Sequence, residues 1–112
     1  MAESSQLGWT FLTNHARVLI SIAHDSGIRL RDVGERVGIT ERAAHRIVSE
    51  LLAAGYITRT RVGRRNQYTI NDDLPLRDPL ARGQRVGDLL AILAQPSKSP
   101  KRRAGKRTSE AQ

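Results

Sequence analysis

The stretch Gly38 to Gly55, GITERAAHRIVSELLAAG, constrains this chain more than any other. A glycine stands at each end, and between them Ala44, Ile47, Val48 and Leu51 recur at helical spacing. At about 100° per residue they fall within one apolar stripe, so the spacing predicts a helix over Thr40–Ala54. Thr40 suits the N-cap, where its hydroxyl can accept a bond from an orphan amide one turn on. Glu41 follows in the first turn, where a negative charge suits the helix dipole. Gly55 is placed to end the helix as a residue free to take positive φ. Arg42, His45, Arg46 and Ser49 fall on the side opposite the stripe. That outer face reads as free of acid and of large apolar groups, and its side chains can donate to base edges and phosphates. An ordinary surface helix with a solvated basic face fits the same residues, so the rest of the chain has to decide.

The preceding residues supply a partner helix. In RDVGERVGIT, Val33 and Val37 face inward on a helix expected over Arg31–Val37. Gly34 would admit another helix closely, Gly38 makes the turn, and Ile39 plugs it. This is the pattern of a helix-turn-helix. Ile28-Arg29-Leu30 reads as a brief strand leading in. Upstream, Thr13 or Asn14 can cap a helix running to about His24, with Val18, Leu19, Ile22 and Ala23 as its apolar stripe and Leu12 packed back on it. Trp9, Phe11 and Leu12 are too apolar for a solvated arm.

After Gly55, the run YITRTRVGRRNQYTI has strand-like composition, broken at Gly63 beside Arg64 and Arg65. Two strands, one opening at Tyr56-Ile57 and the other covering Asn66 to Ile70, would form a hairpin with a basic tip. Residues 71–79, NDDLPLRDP, read as a turn and linker. A final helix is expected over about Leu80–Leu93, where Val86, Leu89, Leu90 and Leu93 recur at i, i+3, i+4 and i+7.

Charge is unevenly placed. Residues 1–94 hold thirteen Arg, no Lys and ten acids, a net +3. Residues 95–112 hold six Lys or Arg and one acid, a net +5. The expected organisation is a disordered lead-in over 1–8, one domain over 9–94, and a disordered basic tail over 95–112. A polyanionic partner fits this balance. There is no cysteine, which removes disulfides, thiol nucleophiles and zinc–thiolate sites. His15 and His24 have no carboxylate pair at ligand spacing, so no metal and no cofactor is expected. No Walker-type or dinucleotide glycine pattern is present, and Asp72-Asp73 sit among turn residues, so no enzyme is expected. No apolar run approaches the roughly 20 residues of a membrane span. The opening MAESSQLGW lacks the basic and apolar regions of a signal peptide. A cytoplasmic, nucleoid-associated protein is expected.

Residues 10–70 resemble the winged helix-turn-helix of small bacterial transcription regulators of the MarR and ArsR type. The resemblance rests on VGERVGIT, then AAHRIVSELLAAGYITR, then VGRRNQYTI. It implies a mainly α fold with a small β-hairpin (α+β), a winged helix-turn-helix with a C-terminal helix. It also implies a sequence-specific regulator whose partner is double-stranded DNA. Carried over by position, Arg42, His45, Arg46 and Ser49 would contact bases or phosphates in the major groove. Arg64, Arg65 and Asn66 would touch backbone or minor groove. Arg31, Thr40, Glu41 and Arg59 complete the expected DNA-binding set. The chain lacks the long flanking helices of larger MarR proteins and the Cys pairs and His/Asp clusters of metal-sensing ArsR proteins, so the resemblance does not extend to a sensor pocket. Its preference for Arg over Lys resembles proteins of high-GC actinobacteria. The alternative is a winged-helix protein-interaction or RNA-binding module, because the fold does not fix the partner. A homodimer is expected, with Trp9, Leu12, Val86, Leu89, Leu90 and Leu93 as the candidate seam. Packing of the last helix on its own domain is the competing use of that stripe.

Overall fold

A computed structural model describes residues 8–94 of the chain. The basic tail, and the lead-in up to its last residue, lie outside the described residues. Helix α1 spans Asn14–His24, and the Thr13 hydroxyl caps it by accepting from the Ala16 amide at 3.1 Å. Val18, Leu19 and Ile22 are buried, together with Ser21, whose hydroxyl donates to the Arg17 carbonyl. Ala23 is exposed, contrary to expectation. It lies one step of about 100° past Ile22 and falls off the far edge of the buried arc.

Helix α2 spans Leu30–Val37, with Arg29 extended before it. The strand expected at Ile28–Leu30 is therefore absent, and Leu30 opens the helix instead. Among the described residues, no strand runs beside residues 28–30. The Ile28 amide donates back to the Asp25 carbonyl at 3.1 Å, and the hairpin reaches this loop earlier, where the Ser26 carbonyl accepts from the Tyr68 amide at 2.9 Å. Gly38 ends α2 in the left-handed region at φ 85°, and its amide and that of Ile39 both donate to the Gly34 carbonyl. Helix α3 spans Glu41–Ala53, and the Thr40 hydroxyl accepts from the Ala43 amide at 3.0 Å. At its end, Gly55 at φ 84° donates to the Leu52 carbonyl while Tyr56 donates to Leu51. These are the paired bonds of a Schellman cap, with Leu51 and Tyr56 both buried beneath it.

The hairpin follows without a linker. Strand β1, Ile57–Val62, pairs antiparallel with β2, Arg65–Ile70, in a register that sets Ile57 opposite Ile70 and Val62 opposite Arg65. Gly63-Arg64 is a two-residue turn, and Gly63 takes φ 62° at its first position, where such turns favour glycine.

The C-terminal part differs most from expectation. Residues 71–85 are fastened down rather than free. The Tyr56 hydroxyl donates to the Pro75 carbonyl at 2.6 Å, the Val86 amide to Leu74, and the Leu76 amide to Gln84. Leu74 and Leu76 pack against the core. A 3-10 turn occupies Pro79–Ala81, and the chain reverses through Arg82 and Gly83, both at positive φ. Helix α4 therefore spans only Val86–Leu93. Its start is fixed by Asp88, whose carboxylate accepts from the Arg85 amide at 2.9 Å. Helix α4 packs on α1, and Val86 enters the shared core with Val18, Ile22, Val33, Ile47, Val48 and Ile57.

Candidate nucleic-acid interface

The apolar stripe of α3 faces inward, with Ala44, Ile47, Val48 and Leu51 all buried. Arg42, His45, Arg46 and Ser49 are exposed together on the other side. Glu41 is exposed in the first turn, and Thr40 is committed to the cap. Arg31 is exposed on α2.

The outer face does carry an acid at its edge. Glu50 lies one turn beyond Arg46, and its Oε2 accepts from Arg46 Nη1 at 3.4 Å. Its Oε1 accepts from His15 Nε2 of α1 at 2.6 Å. The hydrogen bond from His15, helped by the positive charge of Arg46, holds the Glu50 carboxyl below the usual carboxylate range. Glu50 is therefore ionised throughout the neutral range. The i, i+4 spacing of Arg46 and Glu50 was readable from the chain. The His15 partner, 35 residues earlier, had no local signal.

On the hairpin, Arg59 and Arg61 are exposed on β1, opposite Tyr68 and Asn66. Arg61 was missed, although its alternation with Arg59 would have found it. Arg64 is exposed at the tip, and Asn66 is half-buried. Arg65 does not stand free, because its Nη2 donates to the Gly27 carbonyl between α1 and α2. Gln67 reaches the same loop, with its Oε1 at 3.5 Å from the Ser26 hydroxyl. These contacts fasten the hairpin to the helical body.

A cleft of about 530 Å³ opens between α1, the end of α3 and the segment before α4. His15 and Glu50 stand in its wall beside Leu19, Tyr56, Arg77 and Leu89. Among the described residues, no group of three or more His, Asp or Glu side chains comes together as a metal site would need.

The candidate seam residues divide. Val86 is 1% exposed, held in the chain's own core, and offers no surface to a partner. Leu12, Leu89 and Leu90 are half-buried. Leu93 is exposed, and its neighbour Ile92 is 78% exposed. Trp9 and Phe11 pack edge to face with centroids 5.0 Å apart, yet Trp9 is 65% and Phe11 92% exposed. No helix among the described residues is long and apolar enough to cross a membrane.

Residues 9–65, just over half the chain, match the family model described as MarR family. None of the curated proteins matches the sequence. Among solved structures, the PcaV transcriptional regulator from Streptomyces coelicolor, in complex with its natural ligand, is 27% identical with a TM-score of 0.50. That match covers 73% of this chain and 57% of PcaV. The MarR family protein Rv2887 from Mycobacterium tuberculosis, in complex with salicylic acid, is 20% identical with a TM-score of 0.49, over 82% of this chain and 63% of that one. The chain thus spans less than two thirds of the length of either.

Proposed function

The chain belongs to the MarR family of DNA-binding transcription regulators, and from that premise we propose that it reads duplex DNA with α3 in the major groove and the hairpin as its wing. The observation that carries this is the exposed row Arg42, His45, Arg46 and Ser49 on the helix that leads directly into a basic hairpin. Arg can donate two parallel bonds to guanine, so losing one base contact should cost roughly 1–3 kcal/mol and relax preference at one position. The wing arginine Arg64 would meet phosphates, which carry no sequence.

The test starts from a duplex selected out of a random pool, with a scrambled duplex and a structured RNA as competitors. Arg42→Ala or Arg46→Ala is expected to weaken the selected duplex about 5- to 150-fold and the scrambled one far less. Arg64→Ala should weaken both duplexes by a similar factor. If both helix variants bind the selected duplex as the unmodified chain does, α3 is not the reading element. Preference for the RNA would favour an RNA-binding module instead.

One winged domain reaches a short half-site, and a symmetric pair doubles it. The exposed Trp9, Phe11, Ile92 and Leu93 are apolar surface of the kind a second copy covers. The expected result is a homodimer in sedimentation at micromolar concentration. A monomer both free and on DNA would remove this part of the reading.

A further inference from the structure

Glu50 is an unfavourable residue for its position. It lies in the last turn of α3, where a negative charge meets the negative end of the helix dipole. Its pair with Arg46 has the cation on the N-terminal side, the weaker of the two orders at i, i+4. Both side chains are at least half exposed, where an ion pair contributes little to stability. It also removes positive charge from the one face proposed to meet a polyanion. Helix dipole and attraction to DNA, taken alone, give no reason for an acid here.

What Glu50 does is geometric. Its two oxygens are divided between two elements, Oε1 to His15 on α1 and Oε2 to Arg46 on the outer face of α3. The short bond to His15 ties the carboxylate to α1, and the carboxylate offers Arg46 a long acceptor contact at 3.4 Å that favours this rotamer over the others open to it. Only one of the guanidinium's five N–H groups is engaged this way, which leaves others to donate to a base. A donor held in place before binding loses less freedom on binding and discriminates more sharply between a base it fits and one it does not.

We propose that Glu50 is a positioning residue that holds Arg46 at the groove face, with His15 as its anchor, and so sets how selectively Arg46 reads its base. This rests on the groove reading of α3. Glu50 does not touch the base itself, and its effect runs through Arg46.

The experiment measures affinity for the selected duplex and for the same duplex with each base pair changed in turn. Arg46→Ala identifies the position that Arg46 reads. Glu50→Ala is expected to reduce discrimination at that position by about threefold to tenfold, as for directly contacting pairs, and to leave the other positions unchanged. Glu50→Gln, which keeps an acceptor without the charge, should fall between. His15→Gln should act in the same direction and add nothing on top of Glu50→Ala. In the Arg46→Ala background, Glu50→Ala should no longer alter discrimination. Two results would overturn the role of Glu50 while leaving the groove reading intact. One is a single common factor on every duplex, which is mere removal of repulsion. The other is an effect that persists without Arg46. If Arg46→Ala alone changes nothing, the groove reading fails and the positioning role falls with it. Melting curves of the exposed variants should superimpose on that of the unmodified chain.

Discussion

Replacing Ile47 with alanine is expected to cost about 2–5 kcal/mol of folding stability. Ile47 is 2% exposed and belongs to the cluster that joins α1, α2, α3, the hairpin and α4. Truncation removes transfer energy and leaves a cavity that rigid neighbours fill only in part. A small domain has about 5–15 kcal/mol in all, so this one change takes a large share. Thermal unfolding should move down by roughly 8–40 °C, at about 4–8 °C per kcal/mol. Circular dichroism melts of the two chains measure it. A loss below about 1 kcal/mol would mean that Ile47 does not sit at the centre of the core. The neighbouring Arg46→Ala should leave the melt almost unchanged, because that side chain lies on the opposite face of the same turn.

Gly34→Ala is expected to destabilise despite the better helix propensity of alanine. A Cβ at Gly34 would stand 2.8 Å from the Ile39 carbonyl oxygen and 3.3 Å from the Thr40 backbone. Alanine gains about 1 kcal/mol over glycine inside a helix. Forcing an atom into packed surroundings costs about 1–3 kcal/mol. Here the obstacle is backbone in a tight turn held by two bonds to Gly34 itself, so it cannot swing aside. The cost should win, with a net loss of up to about 2 kcal/mol by these magnitudes. The urea midpoint should fall with an unchanged slope. Because relief has to come from opening the angle between α2 and α3, affinity for the selected duplex should fall as well. A raised midpoint would mean that the close approach at Gly34 is not as described.

Much of this fold is legible in the residues because local chemistry determines it. Thr13 and Thr40 cap their helices, Gly38 and Gly55 end theirs at positive φ, and Gly63 turns the hairpin. Each of those signals acts over a few residues. The expectations that failed depended on distant partners. Ile28-Arg29-Leu30 has the alternation of a strand, but a strand needs a neighbour, and none lies there among the described residues. The last helix is expected from about Leu80, six residues ahead of the apolar repeat that opens at Val86. The reversal at Arg82-Gly83 and the bonds from Leu74 and Leu76 across to residues 84–86 hold its start to Val86. The same limit applies at the interface. Exposure of Arg42, His45, Arg46 and Ser49 followed from helical period alone. The engagement of Arg65 by Gly27 and of Glu50 by His15 spans tens of residues, and only the assembled fold brings them together.

The cap at Gly55 has a mechanical consequence. Tyr56 is bonded back to Leu51, and β1 begins at the next residue, so no flexible joint separates α3 from the hairpin. Arg65 bolts the far side of the hairpin to the α1–α2 loop. In the proposed groove reading, helix and hairpin would therefore act as one calliper of fixed span. A duplex gripped by both has to bring its groove and its flanking phosphates to that span, and the bending and twisting fall on the nucleic acid. Base steps that yield easily would be favoured at positions no side chain reaches, through elasticity alone.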